Sequence, residues 1–260
     1  TIGDYMKLTM EPDFDPAKTA FLMPTANGPC RFGQYRHLLE SALEKSGYGD
    51  VLILNPSSND GYEGITDNSM AFFRTAWLAI LASDILRKCL LKTRPYENRT
   101  GTTDELYESS LRSLEAVFES SAGFSKTRKS VIASLIESRD SFRGIEAAFT
   151  RTRPLIAVVG EIFCRNHRFA NENLIRKIES YGAEAWISDI AEWVTYTDWT
   201  RIMDLRRNGK RWSRDALTTY LKMRVMKKDE HDLYAPFADD FRGYEEPEGT
   251  SVLVEYARPY

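Results

Sequence analysis

Two short apolar segments around one amphipathic helix constrain the fold more than any other feature of this sequence. The segments TAFLMP (19–24) and DVLILNP (50–56) are rich in aliphatic residues and each ends at a proline, which is typical of buried strands. Between them, apolar residues recur at helical spacing from Phe32 to Leu43 and stop before Gly47. A strand, a helix and a second strand in this order predict a βαβ unit with parallel strands.

The same order of elements returns in the second half of the chain. PLIAVVGE (154–161) reads as a strand, FANENLIRKIESYG (169–182) as a helix that ends at a glycine, and AEAWISD (183–189) as the next strand. Two βαβ units predict an α/β protein with an open parallel sheet of Rossmann-like or flavodoxin-like type. In such sheets ligands bind at the carboxyl ends of the strands.

The rest of the chain is helical in pattern. Residues 68–150 show no strand signal, with helices expected at 103–121 and 125–149, and the polar, aromatic tail after Glu192 is also helical in texture. Because the chain begins at Thr1 and lacks a further strand and helix at its end, we expect one compact fragment of a larger protein. The predicted segments are a first βαβ unit (18–62), a helical insertion (63–152), a second βαβ unit (153–191) and a helical C-terminal extension (192–260).

Composition argues against two classes of partner. The 35 Lys and Arg residues against 38 Asp and Glu leave a formal charge of −3, which gives no basic surface for nucleic acid. The longest apolar run, residues 76–91, is interrupted by Asp84, Arg87 and Lys88 before the roughly 18 residues that a membrane span requires. Three cysteines, an odd number, do not indicate a disulfide scaffold, so a cytoplasmic protein is expected.

The loop after the first predicted strand carries a cysteine in an unusual position. In TANGPCRFGQ (25–34), Cys30 lies just ahead of a predicted helix and next to Arg31. The helix N-terminus and the arginine charge both favour the thiolate, which is the form that binds metal or acts as a nucleophile. The alternative is a small residue in a turn without a chemical role.

The loop after the third predicted strand is dense in polar residues. If the first strands of the two units are neighbours in one sheet, Cys30 and Cys164 would face each other across a crevice. The alternative is a loop that is solvated and caps a helix. The candidate residues of this loop, GEIFCRNHRFANEN (160–173), are Glu161, Cys164, Arg165, Asn166, His167, Arg168 and Asn171.

Other candidates fit ordinary roles. Cys89 follows Ile85 by four residues within the longest amphipathic helix, where a thiol behaves as a small apolar group, so we expect it in the core. His37 and His231 lie in charged surroundings typical of a surface. The chain contains no CxxC, HExxH, GxSxG, GxGxxG or GxxxxGK[ST] pattern, so the usual zinc protease, hydrolase, dinucleotide and ATP signatures are missing.

Three segments resemble a known family. PTANGPCRFGQY (24–35), RPYE (94–97) with Gly101, and residues 158–193 are similar to the dehydratase-like portion of the large proteins related to activators of 2-hydroxyacyl-CoA dehydratases, the CoA-substrate-specific enzyme activases. More distantly, they resemble subunits of 2-hydroxyglutaryl-CoA dehydratase and benzoyl-CoA reductase. The resemblance covers about residues 18–200, and the ATP-hydrolysing activase portion of such proteins has no counterpart here.

The resemblance implies anaerobic, cytoplasmic chemistry on a CoA thioester. Dehydratase subunits hold a [4Fe-4S] cluster with cysteines and leave one iron free for the substrate, and an activator supplies an electron at the expense of ATP. By this resemblance Cys30 and Cys164 are the expected metal ligands. A further cysteine motif of the family has no counterpart in these 260 residues.

The crevice residues take their expected roles from the same resemblance. Glu161 and Asn166 are the candidate catalytic residues of a dehydratase-like lyase. Cys30, Arg31, Arg165 and Arg168 are the candidate cofactor-binding residues, with the arginines suited to the phosphates of an acyl-CoA.

Three functions stay open at this point. The chain is an electron-transfer or dehydratase-like domain with a cluster, a binding module for an anion or acyl-CoA without a cluster, or an interaction domain. An interaction domain would dock onto the remaining domains of a longer chain or onto a dehydratase or activator partner. The sequence also leaves open whether the fragment is active alone and whether it forms a homodimer.

Overall fold

The computed structural model describes residues 2–25, 31–55, 70–120, 123–149 and 153–241, apart from the side chains of Arg31, Met70 and Ala71. The described chain divides into two compact units, Thr1–Phe72 and Phe73–Tyr260. Its helices are Ile2–Leu8 (α1), Tyr35–Lys45 (α2), Met70–Thr93 (α3), Thr102–Glu119 (α4), Phe124–Arg143 (α5), Ile162–Asn166 (α6), Leu174–Ser180 (α7), Ile190–Arg207 (α8) and Arg214–Tyr234 (α9). Its strands are Ala20–Leu22 (β1), Leu52–Leu54 (β2), Leu155–Val158 (β3) and Glu184–Ile187 (β4).

The N-terminal unit is built on one parallel strand pair. Strand β1 pairs with β2 in a register that runs from Ala20 opposite Leu52 to Leu22 opposite Leu54. Helix α2 connects the two strands and buries Leu39 and Leu43, which are four residues apart and therefore share one face of the helix. These side chains form the core of the unit with Phe21, Met23 and Val51.

The C-terminal unit contains the second parallel pair. Strand β3 pairs with β4 from Leu155 opposite Glu184 to Val158 opposite Ile187. Helices α6 and α7 connect these strands. A small apolar cluster joins the sheet to α3 and α7 through Leu91, Val158, Ile187, Ile175 and Ile178.

Helix α3 is the centre of the main core. Buried side chains occur on several sides of this helix, among them Trp77, Ala82, Leu86 and Leu90, and a helix that is apolar around most of its circumference is buried by neighbours. Helices α4, α5, α8 and α9 supply those neighbours. Their core residues include Leu114, Val131, Leu135, Val194 and Leu233.

The structure agrees with the sequence on the strands more closely than on the helices. All four predicted strands form, as two parallel pairs, so a helical protein with small parallel sheets is confirmed. In the described part of the chain each sheet contains two strands, and one common Rossmann-like sheet stays a prediction.

Two helices are shorter than predicted. The helix expected at 169–182 begins at Leu174, because Glu172 and Asn173 adopt left-handed backbone angles with φ of 53° and 56°. The helix expected at 125–149 ends at Arg143, before Gly144. The residues after it run beside Tyr96, whose carbonyl oxygen accepts a hydrogen bond from the Ala148 N–H at 2.9 Å.

Candidate anion-binding site

A cleft of about 360 Å³ opens at the carboxyl ends of β3 and β4. This volume is within the range of small-molecule sites. Residues of α3, α4, α6 and α7, the end of β4 and the first residue of α8 surround it, so the second βαβ unit and the helical middle of the chain build it together. We call it the arginine cleft, because its lining includes Arg87, Arg94, Arg165, Arg168 and Arg176.

The lining of the arginine cleft carries arginines but no acid. None of the described residues that line it is a carboxylate. Carboxylates behind the lining form ion pairs with three of the five arginines, the compensated class, whereas Arg165 and Arg168, the uncompensated class, form no ion pair among the described residues. The pairs are Asp84 with Arg87, Asp104 with Arg94 and Arg176, and Glu179 with Arg94.

Arg94 illustrates the compensated class. Burial alone would lower its pKa, but hydrogen bonds from its guanidinium to Glu179 and Asp104 outweigh burial and raise the pKa. Its Nη2 lies 2.7 Å from a Glu179 oxygen, and its Nη1 lies 2.9 Å from Asp104. Arg94 therefore links α7 to the start of α4, and the carboxylates of Glu179 and Asp104 balance its charge.

Arg165 belongs to the uncompensated class. Only 7% of this residue is exposed, and its Nη1 and Nη2 donate to the carbonyl oxygens of Gly160 at 3.1 Å and Asp189 at 3.4 Å. Its Nε is buried, and no described group accepts a hydrogen bond from it. Burial, and then the charge of Arg87, lower the pKa of Arg165, although the charges of Glu192, Asp84 and Asp189 act in the opposite direction without forming an ion pair with it. A buried guanidinium without a carboxylate partner is costly, and a bound anion would offset that cost.

Arg87 connects the cleft lining to a buried acid. Its Nη1 donates to Asn166 Oδ1 at 2.6 Å, and its Nη2 donates to Asp84 at 2.7 Å. The Asn166 amide also donates to the carbonyl oxygen of Ile162 at 2.8 Å, which fixes the amide orientation. Asn166 therefore positions Arg87.

The loop between α6 and α7 is fixed by Asn171. Its side-chain nitrogen donates to the carbonyl oxygens of Cys164 at 3.1 Å and Arg165 at 2.9 Å, and its oxygen accepts from the Leu174 N–H at 3.2 Å. These bonds hold the segment that carries Arg168. Arg168 is exposed on the lining, and the structure describes no carboxylate paired with it.

The structure brings together some of the predicted site residues. Arg165, Asn166 and Arg168 line the arginine cleft. Glu161 is exposed and caps α6 by accepting the Cys164 N–H at 2.7 Å. Cys30 and the side chain of Arg31 lie outside the described residues, so the meeting of Cys30 with Cys164 stays a prediction.

The described residues do not provide a ligand set for an iron–sulfur cluster. They contain no group of three or more His, Cys, Asp or Glu side chains placed to hold a metal ion. Cys164 is exposed. Cys89 is buried as expected, and burial raises the pKa of its thiol to about 12, which disfavours the thiolate that a cluster needs. A cluster in this chain would therefore depend on Cys30, which is outside the described part.

Sequence reasoning missed the contribution of the helical middle of the chain. Arg87 lines the cleft from α3, Arg94 from the turn after α3 and Tyr107 from α4. Arg176, on α7 of the second βαβ unit, was missed as well. One signal was present in the sequence. Asp84 and Arg87 interrupt an otherwise apolar helix three residues apart, a spacing at which oppositely charged side chains pair.

Comparisons with known proteins add no name to this site. No protein-family model, curated protein or solved structure matches the chain. Across the described helices, none combines the length and the apolar character that crossing a membrane demands.

Proposed function

We propose that this chain is a dehydratase-like domain that binds an acyl-CoA thioester, with the phosphates of CoA held in the arginine cleft. The buried guanidinium of Arg165 is the observation that carries this proposal. Among the described residues it has no carboxylate partner, its Nε has no acceptor, and it lies at the edge of a parallel strand pair where ligands bind in open α/β sheets.

The chemistry of the lining suits a phosphate ligand with an apolar portion. Guanidinium groups bind phosphate oxygens through paired N–H donors, which makes arginine the preferred partner of phosphates in fixed geometries. Arg165 and Arg168 supply guanidinium groups that form no ion pair with a described carboxylate. Leu90, Ile187 and Ile190 supply an apolar part of the lining, against which the pantetheine chain of CoA would pack.

The proposed function is binding, and it includes no redox or lyase step on a cluster. Glu161 acts as a helix cap and Asn166 as a positioning residue for Arg87. Dehydratase chemistry therefore stays a prediction from the family resemblance. The roles that the described residues support are charge neutralisation and orientation of the phosphates.

Calorimetric titration with acetyl-CoA tests this function. We expect Arg168→Ala and Arg165→Gln each to weaken binding about tenfold or more, because a hydrogen bond to a charged group contributes about 1.5–3 kcal/mol. Arg207→Ala is the matched control, because it makes the same change in net charge. Arg207 lies on α8 outside the cleft lining, and 74% of its side chain is exposed.

Two results would contradict the proposal. One is acetyl-CoA binding that Arg168→Ala and Arg207→Ala change equally. The other is the absence of acetyl-CoA binding to the folded wild-type chain. Competition by inorganic pyrophosphate but not by adenosine would identify the phosphates as the recognised group.

A further inference from the structure

A buried carboxylate lies directly behind the lining of the arginine cleft. Asp84 is 1% exposed, and one of its oxygens accepts from Arg87 at 2.7 Å. The other oxygen accepts the N–H of Ala191, in the first turn of α8, at 2.9 Å. Asp84 therefore shares its charge between a cleft arginine and the N-terminus of a long helix.

Other charged groups face Asp84 from every side. Helix α3 itself provides Arg87 and Lys88. The turn before α8 provides Asp189, whose carboxylate accepts from Lys88 at 2.5 Å and from the Tyr234 hydroxyl at 2.8 Å. Further members of this electrostatic network are Glu230 and Tyr234 on α9, Glu192 on α8, Tyr107 on α4 and Arg165 on α6.

This environment favours the protonated form of Asp84. Burial, followed by the charge of Asp189, raises the pKa of Asp84 to about 6, although Arg87 and the N–H groups of Ala191 and Ile190 act in the opposite direction. Burial and Asp189 raise the pKa of Glu230 as well. The acids behind the cleft thus compete with one another for the available positive charge.

We propose that binding of an anion in the arginine cleft, which the proposed function requires, is coupled to the uptake of one proton by Asp84. An anion held by Arg87 and Arg165 makes the electrostatic potential at Asp84 more negative, and this favours a proton on its carboxylate. The proton comes from solution and bonds to a carboxylate oxygen, and Arg87 keeps its own charge and offers it to the ligand. Coupling between two sites is reciprocal, so the proton also raises anion affinity.

The sign of the effect is fixed by this arrangement. With Asp84 ionised, its charge offsets that of Arg87 and the ligand is bound less tightly. As pH falls toward 6 Asp84 takes up its proton, and anion affinity rises to an upper plateau. Above the pKa that Asp84 has in the bound state, affinity reaches a lower plateau. Couplings of this kind change affinity by about fivefold or more.

The test compares wild type with Asp84→Asn, an isostere of the protonated acid whose side-chain oxygen can still accept the Ala191 N–H. Acetyl-CoA affinity is measured by calorimetry at pH 5.5 and pH 8.0. The phosphate of the ligand titrates near this range, but equally for both proteins, so the comparison isolates Asp84. We expect the affinity ratio between the two pH values to be about fivefold larger for wild type than for Asp84→Asn.

A histidine beside the cleft lining needs its own control. His167 lies between Asn166 and Arg168 in the sequence, and both of these residues line the cleft. His167→Gln should keep the wild-type ratio. Equal ratios for wild type and Asp84→Asn would overturn the inference, and loss of the ratio in His167→Gln alone would assign the proton to the histidine and overturn it too.

Inorganic sulfate separates this inference from the proposed function and covers a failure of Asp84→Asn to fold. Sulfate keeps its charge across this pH range, so any proton taken up on binding goes to the protein. Titrations of wild type at pH 6.5 in buffers of different ionisation enthalpy measure that uptake. Equal binding heats in all buffers would overturn the coupling. Sulfate binding with proton uptake, in a chain that does not bind acetyl-CoA, would support the coupling and reject the CoA function.

Discussion

The burial of the Arg165 guanidinium is the residue-level observation that favours an anion ligand in the arginine cleft. Natural cores seldom retain a buried charge without a partner, because its desolvation is costly. The described residues pair Arg87, Arg94 and Arg176 with carboxylates but give Arg165 only carbonyl oxygens. This contrast between neighbouring arginines supports an anion ligand.

A second prediction at the level of single residues concerns the three cysteines and the iron content of the protein. Iron and sulfide are quantified in anaerobically purified wild type and in Cys30→Ser, Cys164→Ser and Cys89→Ala. If the chain holds the cluster that the family resemblance implies, Cys30→Ser and Cys164→Ser should lower the iron content. Cys89→Ala should leave it unchanged, because burial raises the pKa of this thiol to about 12.

Two outcomes would contradict these expectations. Equal iron in wild type and Cys30→Ser would remove Cys30 from the ligand set. Iron lost in Cys89→Ala, with the fold intact by circular dichroism, would contradict the core role of Cys89.

Sequence reasoning found the cleft residues of the loop and short helix that follow β3 and missed those that other elements contribute. Arg165, Asn166 and Arg168 come directly after β3, where parallel sheets place their ligands. Arg94 and Arg176 are 82 positions apart in the sequence, and both contact Asp104. Such a convergence depends on helix packing, and no local pattern records it.

Among the elements, the parallel strand pairs were the most predictable. A short aliphatic run is typical of a parallel strand, so its composition identifies it. The burial that such a run also predicts is wrong for part of these strands, since Leu22, Leu52, Leu155 and Ile156 are exposed. Helix ends were less predictable, because they depend on backbone angles at single residues. Glu172 and Asn173 take left-handed angles just before α7, and neither residue type demands that conformation.

Gly182 carries a prediction about the second βαβ unit. It lies between α7 and β4 with φ of 83°, a conformation that side chains disfavour. Gly182→Ala should lower the free energy of unfolding by about 1–2 kcal/mol, measured by urea denaturation.

Gly144→Ala provides the matched control. Gly144 also follows a helix, α5, but its backbone has φ of −78°, and an added Cβ would meet the Ser141 carbonyl oxygen at an ordinary 3.4 Å. Its effect should be below about 0.5 kcal/mol. Equal losses at the two glycines would show that backbone strain does not govern the turn before β4.

At the scale of the whole molecule, each unit has its own core. Leu39 is buried in the N-terminal unit and Leu81 in the C-terminal unit, both with 0% exposure. All five tryptophans, the first of which is Trp77, belong to the C-terminal unit. Tryptophan fluorescence therefore reports the unfolding of one unit only.

Matched core substitutions test whether the units unfold independently. Leu81→Ala should shift the fluorescence-detected urea midpoint, since such a substitution costs about 2–5 kcal/mol. Leu39→Ala should leave that midpoint unchanged. Far-ultraviolet circular dichroism, which reports the helices of both units, should show the N-terminal unit of this variant unfolding at a lower urea concentration than in wild type. A fluorescence midpoint that moves equally in both variants would show that the two units unfold as one.

The contact between Asp84 and Ala191 also has a consequence for synthesis. The carboxylate is translated 107 residues before the amide that it accepts. While the nascent chain lengthens, the cations nearest to Asp84 in the sequence are Arg87 and Lys88 of its own helix. Arg74 of the same helix pairs with Asp229 on α9, which is translated later still. Helix α3 cannot complete its polar contacts until α8 and α9 have left the ribosome, so release of nearly the whole C-terminal unit precedes the final docking of its central helix.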